Sequence, residues 1–223
     1  MPLSDIQRAI LCLLARNRDP ESFVAGAVPL QQDGPRYSSD IDIFHDREER
    51  VAAVPDPLFG YRLHVVEIAT NKALAAAGRQ APRDVLDLLL IHERHLTLGA
   101  VIWAAVGKDP GYSPENLIAE IRRNARYRAD DYEALATAEP IDAGAVSRQL
   151  KAALAEAEAF VRAMPSGKEG LVFLRAGSVV APDPSVLAGY EEHPGRRGGY
   201  WPSSSEIGGS MLDAGDRPSL GND

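Results

Sequence analysis

Apolar positions recur at helical spacing at the start of the chain. Ile6, Ile10, Leu13 and Leu14 predict one buried face on a helix over residues 4–16, with Ser4 as its cap. Ser22-Phe23-Val24-Ala25-Gly26 reads as a short strand entering a turn, and residues 28–32 as one helical turn ended by Asp33-Gly34-Pro35. Asp40-Ile41-Asp42-Ile43-Phe44 alternates strictly, which predicts a strand with both aspartates on one face. Beyond a charged stretch and a proline-bounded loop, a strand is expected over 61–68 and a helix over 69–77. A second helix, over 83–95, would turn Leu86, Leu89 and Leu90 inward. Residues 98–106 are apolar on nearly all sides and predict a buried helix. Ser113-Pro114-Glu115 opens another, running to about residue 128. Val146, Leu150, Leu154, Ala157 and Val161 mark a long amphipathic helix, and 171–180 reads as a hairpin turning at Ala176-Gly177.

These elements make an α+β protein: a small mixed sheet with flanking helices in 1–95, a helical region in 96–165, and a hairpin-like extension in 166–188. From Gly189 on, 16 of 35 residues are Gly, Pro or Ser, so 189–223 is expected to be a loosely ordered tail. Composition narrows the classes further. With 45% hydrophobic and 25% charged residues among 223, the chain can bury a core and is not wholly disordered. No apolar run reaches the roughly 18 residues of a membrane span, and Asp5 interrupts the start with no small-residue cleavage site, so neither membrane nor secretion is expected. The one cysteine, Cys12, sits among leucines and fits a reducing compartment; the cytoplasm is the expected location. A net charge of −8 disfavours broad polyanion binding but leaves room for a local basic patch.

Two carboxylates two apart on a strand, Asp40 and Asp42, are an oxygen claw suited to one hard cation such as Mg²⁺. Alone, that pattern is equally the polar face of an edge strand. Its surroundings add chemistry. Gly26 ends a strand where backbone N–H groups could approach phosphates, Ser38 lies two residues before Asp40, and Arg36 four before it. Further on, Lys72 stands fifteen residues before Asp87, with Arg79, Arg83 and Asp84 between them. Cations for phosphates beside carboxylates for a metal are the components of phosphoryl or nucleotidyl transfer.

In these blocks, SFVAGA from Ser22, RYSSDIDIF from Arg36 and NKALAAAGRQAPRDVLDL from Asn71, the chain resembles the AbiEii-type nucleotidyltransferase toxins, which include the mycobacterial MenT toxins and belong to the DNA polymerase beta-like nucleotidyltransferase superfamily. The resemblance covers roughly the first hundred residues. It implies a Mg²⁺-dependent transfer of a nucleoside monophosphate from an NTP to an acceptor hydroxyl, on a tRNA 3′ end or a protein, by a toxin with a cognate antitoxin. It also implies roles. Asp40 and Asp42 would hold the metal, Gly26 and Ser38 would lie on the nucleotide side, Lys72 with Arg79 or Arg83 would meet the phosphates, and Asp87 would support catalysis. The family's turn usually reads Gly-Gly or Gly-Ser, where this chain has Gly26-Ala27. Only 29 residues separate Asp42 from Lys72, so the core looks shortened there, and Glu67 is either an acid standing in for a third carboxylate or a residue at a helix start. The alternative is therefore a catalytically impaired module that binds nucleotide or protein without transfer.

Other features have plain readings beside the sharp ones. Arg122, Arg123, Arg126 and Arg128 are either an RNA grip or a solvated helix face. His92, Glu93 and His95 lack the i, i+4 spacing of a helical zinc site and read as a polar helix end. His45 follows the aspartate strand and could tune it.

Overall fold

The computed structural model describes residues 3–17, 22–32, 34–38, 40–45, 53–56 and 60–194. Helix α1 (Asp5–Asn17) leads into strand β1 (Ser22–Ala25), followed by β2 (Asp42–His45), β3 (Ala53–Asp56) and β4 (Gly60–Leu63). These strands form one mixed sheet in the order β2-β1-β4-β3, in which β1 runs antiparallel to β2 and parallel to β4. Helices α2 (Val65–Gly78), α3 (Pro82–Arg94), α4 (Leu98–Ala105), α5 (Pro114–Asn124), α6 (Ala129–Glu133) and α7 (Ala143–Ala163) follow. A second, three-stranded sheet is built from β5 (Leu171–Arg175), β6 (Ser178–Val180) and β7 (Glu191–Pro194), in the order β6-β5-β7. The architecture is α+β.

Adjacent residues of β1 face opposite sides of the sheet, as strand geometry requires. Ala25 joins the main core with Leu63 of β4 and the helices, whereas Val24 packs with Leu3, Leu11 and Val28 beneath α1. The main core then runs without a break through α2–α5 and α7 to Phe173 of β5. The helical half and the sheet half thus share one interior, and residue 95 is not a break in packing. Helix α4 is buried at every position, as its all-round apolar sequence predicts. The stripe Val146, Leu150, Leu154, Ala157 and Val161 is the buried face of α7.

Several boundaries differ from expectation. On α1, Leu11 is fully buried while Ile6 is 73% and Leu13 59% exposed, so the helix faces inward along Gln7, Leu11 and Leu14. Apolar residues occupy two faces of α1, and periodicity alone does not choose between them. Val65 to Ile68 are helix, not strand, because the His64 ring accepts a bond from the Val66 N–H at 3.2 Å and caps α2 four residues earlier than expected. β3 was expected to be loop; it is an edge strand, the position where the sheet tolerates Pro55. α5 stops at Asn124, short of Arg126 and Arg128. β7 lies inside the segment expected as tail and pairs with β5, from Leu171↔Pro194 to Leu174↔Glu191. The rest of that segment, 195–223, lies outside the described residues.

Candidate functional site

The site is organised around the loop that joins β1 to β2. It begins at Gly26, whose φ is +68°, a left-handed conformation that disfavours any side chain. A Cβ at Gly26 would also overlap the Asp42 carboxylate, because Ala25 and Asp42 are paired across the two strands. Residues 27–31 then form one helical turn, with the Gln31 N–H donating to the Ala27 carbonyl at 3.0 Å.

From that turn the loop reaches into the helices. Gln31 is fully buried, and its Nε2 donates to Asp87 Oδ1 at 2.7 Å. Arg36 grips the same carboxylate with two prongs, Nε to Oδ1 at 3.0 Å and Nη2 to Oδ2 at 2.8 Å. Lys72, from α2, reaches Asp87 Oδ2 at 2.7 Å and Asp84 Oδ1 at 3.1 Å. Arg79, just past the end of α2, forks onto Asp84 at 2.7 and 3.1 Å. Both aspartates are fully buried on one face of α3 at i, i+3, while the Lys72 side chain is 12% exposed. The outer side of the loop is stitched to the segment after α6: Tyr37 N–H donates to the Ala136 carbonyl at 2.8 Å, and Ala138 N–H to the Pro35 carbonyl at 3.1 Å.

The electrostatics follow from that packing. Burial pushes the Asp84 carboxyl up, but the Arg79 and Lys72 charges and hydrogen bonds outweigh it and hold the group below the ordinary carboxylate range. Asp87 accepts from four donors, which fills the sites a carboxylate has. It is therefore placed to hold Lys72, Arg36 and Gln31 together.

Lys72, Asp84, Asp87 and Arg79 thus meet in one knot. Arg83 is half-buried on α3, and none of the ion pairs of the knot includes it. Asp40 and Asp42 stand at the far end of the loop, both exposed. Asp40 precedes β2, so the alternating face expected of the pair begins only at Asp42. Ser38 is buried, and its hydroxyl donates to the Asp40 carbonyl at 2.9 Å, a bond that shapes the approach to β2. Among the described residues no group of three or more His, Cys, Asp or Glu gathers around a common point.

Of the two positions open to Glu67, the structure shows the helix start. It lies in the first turn of α2, 1% exposed, paired with the equally buried Lys108, which also donates to Asn71 Oδ1 at 3.0 Å. A glutamate inside the apolar run Val65 to Ile68 signalled a buried partner; Lys108, in a Gly-Lys-Asp-Pro turn, carried no such signal. Burial pulls the Lys108 ammonium below the usual lysine range, against the opposing charge of Glu67. Several of the remaining groups have local partners. His92 Nδ1 accepts from the Leu98 N–H at 3.1 Å, Arg122 pairs with Glu158 at 2.7 Å, and Arg123 pairs with Glu120. Cys12 is half-buried, and the His45 side chain is outside the described residues. Among the described residues no helix is long and apolar enough to cross a membrane. Comparison with protein-family models, with curated proteins and with solved structures finds no match.

Proposed function

We propose that this protein is a Mg²⁺-dependent nucleotidyltransferase of the nucleotidyltransferase-fold toxin type, moving a nucleoside monophosphate from an NTP to an acceptor hydroxyl on a tRNA 3′ end or a protein. A cognate antitoxin and a cytoplasmic setting belong to the same reading. One observation carries it. Three blocks far apart in the chain, the loop from Gly26 to Asp42, the lysine of α2 and the aspartates of α3, are tied together through Asp87.

The donor set suits Mg²⁺. Asp40 and Asp42 are exposed hard-oxygen ligands, and bare Gly26 opposite Asp42 leaves backbone where a Cβ would intrude. A Mg²⁺ held by these two aspartates would draw charge from the phosphate oxygens and make the α-phosphorus a better electrophile. The protein's own groups do the rest. Lys72 has three N–H donors, two of them directed at carboxylates here, and the ammonium can swing from Asp84 and Asp87 to the leaving pyrophosphate. Arg79, half exposed beside it, adds positive charge on the same side. Asp87 keeps Arg36 and the loop fixed while Lys72 moves.

A second reading has its own support. Lys72 is already neutralised by two buried carboxylates, an arrangement that also suits a structural lock in a module that binds nucleotide or protein without transfer. Incubation with each of the four α-labelled NTPs, Mg²⁺, tRNA and total protein separates the two. Transfer by the wild type, lost in Asp42→Asn, is expected; a folded wild type that binds NTP but labels nothing would favour the second reading.

A further inference from the structure

Helix α1 has apolar residues on two faces, and one of the two stands in solvent. Leu11 is fully buried on the inner face, where it clusters with Val24 of β1. The outer face carries Ile6, Ile10 and Leu13 at i, i+4 and i+7, exposed by 73%, 42% and 59%. At 3.6 residues per turn these three form one narrow stripe over about two turns. Ile43 of β2 adds to the apolar surface on that side. It is 46% exposed and stands directly opposite Val24, so both project from the side of the sheet that α1 covers. Exposed hydrophobics scattered singly need no explanation, but a stripe that follows a helix does.

The charges beside the stripe indicate what fits it. Asp5 and Arg16 are both exposed, one in the first turn of α1 and one in the last. Helical geometry sets them about 20° from each other around the axis, on the same flank of the stripe. The helix macrodipole accounts for the sign of each charge, but not for their sharing a flank. When two copies of such a helix pair antiparallel about a two-fold axis, like flanks meet. Ile6 of one copy then stands opposite Leu13 of the other, and Asp5 beside Arg16 at both ends. A parallel pair brings opposite flanks together and sets both charges toward Gln7 and Leu14 instead. The face is thus complementary to itself in one orientation.

We propose that the outer face of α1 binds a second copy of this chain, as an antiparallel helix pair with an Ile6, Ile10 and Leu13 seam and an Asp5–Arg16 ion pair at each end. One 13-residue helix against its copy falls at the low end of interface sizes, so the dissociation constant is on the order of 10–100 µM. The inference stands apart from nucleotidyl transfer, and the failure of either leaves the other standing. The dimer does form on a helix tied to the candidate site: from the inner face of α1, Gln7 Nε2 donates to the Ser38 carbonyl at 2.6 Å.

Sedimentation equilibrium of the full chain, at loading concentrations from below to well above that constant, tests the pairing. The expected result is a reversible monomer–dimer equilibrium, weakened about tenfold or more by Leu13→Glu and likewise by Ile6→Glu. Both side chains are exposed, so the monomers should keep their fold, which circular dichroism checks. Arg16→Asp, which sets Asp5 against a second carboxylate, should weaken the dimer about fivefold. Asp5→Arg combined with Arg16→Asp should restore most of that loss. A monomer at every concentration would overturn the proposal and leave the stripe to a different protein. A dimer indifferent to both glutamate variants would place the contact elsewhere and overturn it as well. Weakening by Leu13→Glu and Arg16→Asp with no recovery in the double swap would overturn the antiparallel pairing.

Discussion

Gly26 has two independent reasons to be glycine: a positive φ and the Asp42 carboxylate where its Cβ would stand. Gly26→Ala is therefore expected to cost about 1–2 kcal/mol from the left-handed backbone alone, and to displace Asp42 as well. Urea denaturation reads the first effect and NTP transfer the second. Arg36 is the other decisive side chain. Its planar fork spans both oxygens of Asp87, a geometry that a lysine cannot copy. Arg36→Ala should destabilise by roughly 3–5 kcal/mol, because Asp87 would remain buried with one cation fewer. Arg36→Lys, carrying the charge without the fork, should recover only part of that. The sequence made Arg36 visible as a charge near the aspartates, but not as the partner of Asp87, since a contact between residues 36 and 87 leaves no local pattern. Gln31 was silent for the same reason.

The start of α2 shows what a single side chain does to a boundary. Val65, Val66 and Ile68 favour strand by type, yet His64 caps a helix there and fixes its first turn. The cap also makes the helix sensitive to pH. Burial and the neighbouring Arg62 lower the His64 pKa from 6.5 to about 4, so the folded state favours the neutral ring that accepts from Val66 N–H. That contribution is complete above pH 6.5 and is lost as pH falls toward 4. It amounts to about 3 kcal/mol at most. His64→Asn, which keeps an acceptor but does not titrate, should flatten the stability profile between pH 6.5 and 4 in urea melts; an unchanged slope would contradict this role. Asp84 works in the same sense at lower pH, its carboxyl being held below the usual range, so acid that protonates it should loosen α3 from Lys72 and Arg79. Elements whose identity rests on their own residues, such as α4 and α7, were legible in sequence. β3 and β7 were not, because both are short and owe their strand character to a neighbour.

The two halves of the chain are held together by one hydrophobic core and by a buried ion pair, Lys108 with Glu67. Removing one member should expose how much the fold relies on it. Lys108→Met is expected to lose roughly 3–5 kcal/mol, whereas Lys108→Met with Glu67→Leu should be closer to wild type. A double-mutant cycle in urea reads the coupling. The α+β class was readable from the succession of periodicities, since each stretch carried its own signal. That the helical half shares the interior of the sheet half was not, because such contacts join residues far apart in sequence. The candidate site was legible in part: Lys72, Asp84, Asp87 and Arg79 do meet, while Arg83 stands apart from their ion pairs and Glu67 faces Lys108.

The most direct measurement is calorimetric titration of Mg²⁺ with a non-hydrolysable NTP into the wild type, Lys72→Met and Asp42→Asn. Asp42 is exposed, so its replacement leaves the core intact, and circular dichroism checks the Lys72 variant. The expected result is Mg²⁺-dependent binding by the wild type, weakened about tenfold or more in each variant. Absence of binding by the folded wild type, or binding that ignores both substitutions, would contradict a nucleotide site between Asp42 and Lys72.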